Sequence, residues 1–149
     1  MGIILCCVCG NEIEEMRTFC PHCQAEKPAE PLPWGGPVHR LVNLEKGRPL
    51  VRQALARMDL EIRTSGCQGF KVLTLIHGYG SSGTGGAIKA AIRHQLEFFR
   101  HQRRIREIVF GEEFENRSGR GRQLLRRFPV LIDHSDLNRA NPGITLVIL

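Results

Sequence analysis

The sequence contains no apolar run approaching the roughly 18 residues that a membrane-spanning helix needs, which excludes helical insertion in a bilayer. It shows no internal repeat. Met1 to Leu5 is too short and uncharged to read as a signal peptide, so the expected compartment is cytoplasmic. Tryptophan and tyrosine occur once each, as Trp34 and Tyr79. Lysine is scarce: 17 of the 21 basic residues are arginine, whose planar fork pairs with phosphates and stacks on bases.

What is present is unevenly distributed. Residues 1–37 hold two basic groups (Arg17, Lys27) and five acidic ones, a balance of −3. Residues 38–149 hold 19 basic and 10 acidic groups, a balance of +9. A basic domain of about 110 residues suits a nucleic-acid partner, and a solvated charged face is the plainer alternative. At 149 residues the chain can build one sizeable core and a small appendage.

Six cysteines include two C-x-x-C pairs, Cys6/Cys9 and Cys20/Cys23, separated by ten residues. Each pair can aim two thiolates at one ion, and two pairs complete a tetrahedron. A redox dithiol would need only one pair, in a βαβ setting. The pattern resembles a short zinc ribbon over residues 1–27, with Cys6, Cys9, Cys20 and Cys23 as ligands of a structural Zn²⁺. Cys7 is spare and His22 a less favoured ligand. Four thiolates on Zn²⁺ leave a further −2, bringing residues 1–37 near −5. That disfavours phosphate binding by the ribbon and suits contact with a protein partner.

Residues 28–37 carry four prolines and Gly35-Gly36, and predict an extended linker. Trp34 there reads as a packing residue at the domain edge, with base binding the alternative. Val38 to Glu45 predicts a strand, Lys46-Gly47-Arg48 a turn, and Pro49 a helix start. Val51, Ala54, Leu55, Met58 and Ile62 form the apolar stripe of a first helix, followed by a loop from Thr64 to Gly69. Val72 onward reads as a strand buried on both faces. Five glycines follow within Gly78 to Gly86, and a second helical stripe runs through Ile88, Ala91, Ile92, Leu96 and Phe99. A third strand is expected at Ile105 to Phe110, a loop over 111–122, a short helix at Gln123 to Phe128 and a last strand at Ile144 to Leu149. This order predicts a two-layer α/β sandwich with a four-stranded mixed sheet over residues 38–149.

The strand–glycine-loop–helix unit favours an anion: glycine lets the backbone approach closely, and the helix N-terminus offers free N–H groups. Gly78, Tyr79, Gly80, Ser81, Ser82 and Gly83 would hold a backbone phosphate, with Tyr79 stacking on an unpaired base. Lys89 and Arg93, one turn apart on the expected exposed side of the second helix, would extend that surface.

Residues 38–149 resemble the Smr domain, the small MutS-related domain. The match is carried by His77-Gly78-Tyr79-Gly80 where that family has T-G-x-G, by Ser81-Ser82 and Gly85-Gly86, and by Gly143-Ile144-Thr145-Leu146-Val147 at the end. The resemblance implies a fold like the C-terminal domain of translation initiation factor three. It also implies binding of RNA or DNA, with nicking or RNA endonuclease activity in some members. Active members carry L-D-x-H after the first strand. The helix spacing sets Glu45 at the Asp position and Gly47 at the His position; aligning the strand instead sets Asn43 and Glu45 there. In either register the histidine is missing, so Glu45 and His77 are the candidate catalytic residues and binding without catalysis is the leading expectation. An endonuclease on RNA or on branched or nicked DNA, and a zinc-ribbon adapter holding a protein, are the alternatives.

Two nucleotide readings fail on what is missing. Gly78-x-Gly80-x-x-Gly83 fits a dinucleotide fingerprint, but no acidic residue ends a following strand about 20 residues on. Gly86 stands where a P-loop requires lysine.

Overall fold

A computed structural model describes residues 2–6, 8–26, 38–78 and 85–149. The linker 28–37 and, within the glycine segment, Tyr79, Gly80, Ser81, Ser82 and Gly83 lie outside the described residues. Two short strands, β1 (Ile3–Leu5) and β2 (Glu12–Glu14), pair antiparallel. Then follow β3 (His39–Asn43), α1 (Val51–Cys67), β4 (Val72–Ile76), α2 (Gly85–His101), β5 (Glu107–Phe110), α3 (Gly119–Arg127) and β6 (Ile144–Ile148). Two 3-10 turns, Gly111–Glu113 and Pro129–Asp133, flank α3. No helix among the described residues is long and apolar enough to cross a membrane.

The larger sheet is four-stranded and mixed, in the order β3-β4-β6-β5. Strands β3 and β4 run parallel, and β6 is antiparallel to both β4 and β5. Side-chain alternation then sorts each strand between two faces. Val42, Leu73, Leu75, Ile108 and Val147 meet Ala54, Met58 and Ile62 of α1 and Ile88, Ile92, Leu96 and Phe99 of α2. These helices form because their apolar residues recur at three and four, leaving one continuous stripe to bury. Removing a methylene-rich member such as Leu75 costs about 2–5 kcal/mol, since a close-packed interior cannot collapse onto the gap.

The second face is not bare, as a strict two-layer arrangement would leave it. Val72, Val109, Ile144, Leu146 and Ile148 pack on Phe114, Leu124 of α3 and Leu131. This cover does not reach the whole of β3, where Leu41 is 57% exposed. The helix α3 begins four residues earlier than expected because Ser118 caps it, accepting a hydrogen bond from Gly121 N at 2.9 Å. Likewise α1 runs on to Cys67 through the expected loop, since Ser65 is buried and its hydroxyl accepts from Arg40 Nη1 at 3.2 Å.

A buried polar chain crosses the second face. Asp136 N donates to His134 Nδ1 at 3.0 Å, so the His134 proton sits on Nε2 and is donated to Thr74 Oγ1 at 2.9 Å. Thr74 in turn donates to His39 Nε2 at 2.7 Å. Both rings are therefore held neutral. Burial and the neighbouring His134 push His39 down to about 4, and burial lowers His134.

Candidate functional site

At the N-terminus, two turns of the same construction face each other. Cys6 N donates to Asn11 O at 2.8 Å and Gly10 N to Cys6 O at 2.8 Å. In the second turn Cys20 N donates to Ala25 O at 2.9 Å and Gln24 N to Cys20 O at 2.8 Å. Each turn closes through a left-handed residue, Gly10 at φ 77° and Gln24 at φ 60°. The sulfurs of Cys6, Cys9, Cys20 and Cys23 all lie within 4.8 Å of one another. Cys6 and Cys23 Sγ are 3.7 Å apart, and Cys9 and Cys20 Sγ 3.6 Å. A tetrahedral ion with metal–sulfur bonds of about 2.3 Å requires sulfurs about 3.8 Å apart, so the cluster is already sized to hold a metal ion.

The surroundings prepare charge on sulfur. Asn11 Nδ2 donates to Cys9 Sγ at 3.3 Å, and His22 N to Cys20 Sγ at 3.4 Å. The backbone N–H of Asn11 holds the Cys9 thiol down to about 6. Cys23 receives the N–H of Ala25, yet burial and the three neighbouring sulfurs together push it up to about 12. Four thiolates cannot coexist here without a cation. Beneath them, among the described residues, the apolar support is Ile13, with Ile4 and Val8 at its edge.

The second candidate lies where β3 and β4 end. Because these strands are parallel, their carboxyl ends share one edge, and both following helices begin there with their positive ends. Leu44 N donates to Ile76 O at 2.8 Å, which brings the turn after β3 against Gly78. Gly78 has φ 72°, and a Cβ on it would collide with the Glu45 carboxylate. The backbone angle favours glycine here, and a larger residue would in addition displace the end of the Glu45 side chain. The structure brings together Glu45, His77 and Gly78.

His77 is fully buried. The carbonyl of Gly78 can only accept, so His77 Nδ1 carries the proton and donates to it at 2.7 Å. Nε2 then accepts from the Thr145 hydroxyl at 2.8 Å. Burial pushes this imidazole down to about 4, with Arg93 and Lys89 adding repulsion. Both ring nitrogens serve the fold, and neither is free to move a proton for a substrate. His77→Ala strands the Thr145 hydroxyl and opens a cavity, and is expected to cost about 2–4 kcal/mol in urea unfolding.

Lys89 and Arg93 are not on an exposed face. Their side chains are 25% and 18% exposed, and both turn to Glu112. Arg93 Nη2 meets the two Glu112 oxygens at 2.9 and 3.0 Å, and its guanidinium lies 4.2 Å over the Phe110 ring. Lys89 Nζ reaches the same carboxylate at 3.5 Å. The pair is drawn inward because β5 and β6 bring Glu112 beside α2, an adjacency that sequence spacing does not contain.

Among the described residues, the exposed cations Lys46, Arg48 and Arg52 at this edge lack an acidic partner, as does the half-buried Arg57, whose Nη1 donates to Lys46 O at 3.0 Å. The three exposed cations sit on the Glu45–Arg48 turn, closed by Arg48 N donating to Glu45 O at 3.0 Å, and in the first turn of α1. Sequence pattern predicts only a turn at Lys46-Gly47-Arg48. The signal that could have found them is the pairing of two adjacent parallel strands, whose following turns share one edge.

Three buried or half-buried neutral histidines also fix the acid response. His39 and His77 bind protons in the folded state only near pH 4, while unfolded histidine does so near 6.5. The unfolded chain therefore holds more protons between those values, and stability falls as pH drops from about 6.5 towards 4. Urea midpoints measured across this window should decline, and His39→Gln should flatten the decline.

No protein-family model, no curated protein and no solved structure matches this chain.

Proposed function

We propose that residues 38–149 form an Smr-like domain that binds RNA or DNA through the edge where β3 and β4 end. The observation that carries this reading is the set of exposed cations Lys46, Arg48 and Arg52, which among the described residues have no acidic partner and follow Glu45, whose carboxylate lies against Gly78. Two helix N-termini begin at that edge and add positive potential where a phosphate would approach. Tyr79, in the adjoining glycine segment, supplies the one tyrosine for stacking on an unpaired base. This combination of backbone contact and stacking suits strands with unpaired segments better than regular duplex. The cysteine cluster holds Zn²⁺ in a structural role, its four-sulfur donor set being the one that ion takes in closed sites.

The test is binding of fluorescent single-stranded and duplex RNA and DNA of equal length to the metal-loaded chain, with crosslinked residues mapped. Binding of unpaired strands, with crosslinks at Lys46 to Arg52 and Tyr79, supports the reading. Absence of binding at low salt, or crosslinks confined to residues 1–26, overturns it.

Cleavage is the second reading, favoured by one contact: Glu45 lies against Gly78 at the binding edge. With His77 engaged at both nitrogens, Glu45 would act without an imidazole. Strand scission by wild type and none by Glu45→Gln would establish it; equal product from both would dismiss it.

A further inference from the structure

We infer that the outer edge of β1 docks a basic, extended segment of a protein partner by strand addition. Backbone bonding in an antiparallel pair alternates along the strand. Glu15 N donates to Gly2 O at 2.9 Å, and Cys6 N to Asn11 O at 2.8 Å. Since Ile4 pairs with Ile13 midway between them, Gly2, Ile4 and Cys6 direct their backbone groups at β2. The N–H and C=O groups of Ile3 and Leu5 therefore point away from β2, along an edge that has no backbone partner among the described residues. An unpaired edge of this kind is a template for another strand.

The side chains repeat the asymmetry. Ile4 and Ile13 turn towards the cysteine core, whereas Ile3 and Leu5 turn outward and are 69% and 68% exposed. In register opposite them stand Glu14 and Glu12, both exposed. Glu14 makes only an exposed pair with Arg17 at 3.4 Å. The outer face is thus two apolar side chains rimmed by two carboxylates, and residues 1–37 carry a net charge of −3 before any metal thiolates are counted.

That chemistry selects the occupant. A polyanion is repelled, so this face does not extend the nucleic-acid surface. A second copy of the chain brings the same carboxylates and is disfavoured by like charge. A strand alternating basic and apolar residues satisfies the open backbone groups, covers Ile3 and Leu5 and neutralises Glu12 and Glu14. The surface is separate from the edge of β3 and β4, and neither proposal depends on the other.

The test uses the full metal-loaded chain, isotope-labelled and titrated with an extended peptide alternating lysine and valine, then with its glutamate–valine counterpart. The Ile3 and Leu5 amides should shift and exchange more slowly with the first peptide only. Reversal by Glu12→Lys with Glu14→Lys should weaken that peptide by about tenfold and favour the second. Ile3→Pro removes an outward N–H without touching a β1–β2 bond, and should abolish binding. Where this variant fails to retain metal, Ile3→Thr with Leu5→Thr keeps the strand and removes the apolar cover, and should weaken binding. Equal response to both peptides, binding that survives these substitutions, or self-association in sedimentation in place of peptide binding overturns the inference.

Discussion

Stripping the metal, or replacing Cys20 with serine, is expected to unfold residues 2–26 and leave the four-stranded domain folded. The reason is the size of the N-terminal core. Cys6, Ile13 and Cys20 are its buried members, two of them in the four-cysteine cluster that could hold the ion. A three-residue strand pair with one buried isoleucine is far below what an independent sheet needs. The ordering entropy of some 20 residues, about 1–2 kcal/mol each, exceeds what such burial returns. Metal binding supplies the difference, at about 10–16 kcal/mol for four-ligand zinc sites near neutral pH. The larger domain rests on its own two clusters, neither of which includes a cysteine. Proton-coupled loss of metal should have the same result. Affinity rises with pH, because the ion displaces thiol protons, those of Cys23 most of all. Amide spectra of the chelated chain should show collapse of the Ile4 and Ile13 signals while those of Leu75 and Leu146 persist. Loss of both sets together would mean that the two parts fold as one.

The second large effect is expected from Lys46→Ala, Arg48→Ala and Arg52→Ala combined. These side chains are exposed and make no ion pair among the described residues, so the fold should lose little when they go. Nucleic-acid affinity should fall about tenfold or more at physiological salt, since each phosphate contact displaces condensed counterions. Replacing Lys89 and Arg93 should behave differently. Their cations already share the Glu112 carboxylate, so alanine there strands a half-buried charge and removes the Phe110 stack. That pair should cost stability first and affinity second. Thermal melts alongside anisotropy titrations separate the two outcomes.

Local chemistry was legible in the sequence, and long-range adjacency was not. The cluster of four cysteines was readable because a C-x-x-C turn fixes two sulfurs by itself. The buried strand Val72–Ile76 and the stripes of α1 and α2 were readable because their period is set within one element. The order of strands and helices followed from these. The second-face cover was not readable: α3 is GRGRQLLRR, with Leu124 its buried apolar anchor, and sequence pattern alone gives it no side. Nor was the His39–Thr74–His134 chain, whose members are 35 and 60 residues apart. Glu112 lies in a stretch that sequence pattern reads only as a loop, and β5 places it beside Lys89 and Arg93. The same kind of adjacency moved the cationic surface from α2 to the turn after β3.

The decisive measurement is the salt dependence of binding by the metal-loaded chain and by its Lys46→Ala, Arg48→Ala, Arg52→Ala form, on one single-stranded RNA. If phosphates sit at this edge, log affinity falls linearly with log salt in the wild type, and the slope shrinks by about 2–3 in the variant. Identical slopes for the two proteins would contradict the account, because the phosphates would then lie elsewhere on the chain.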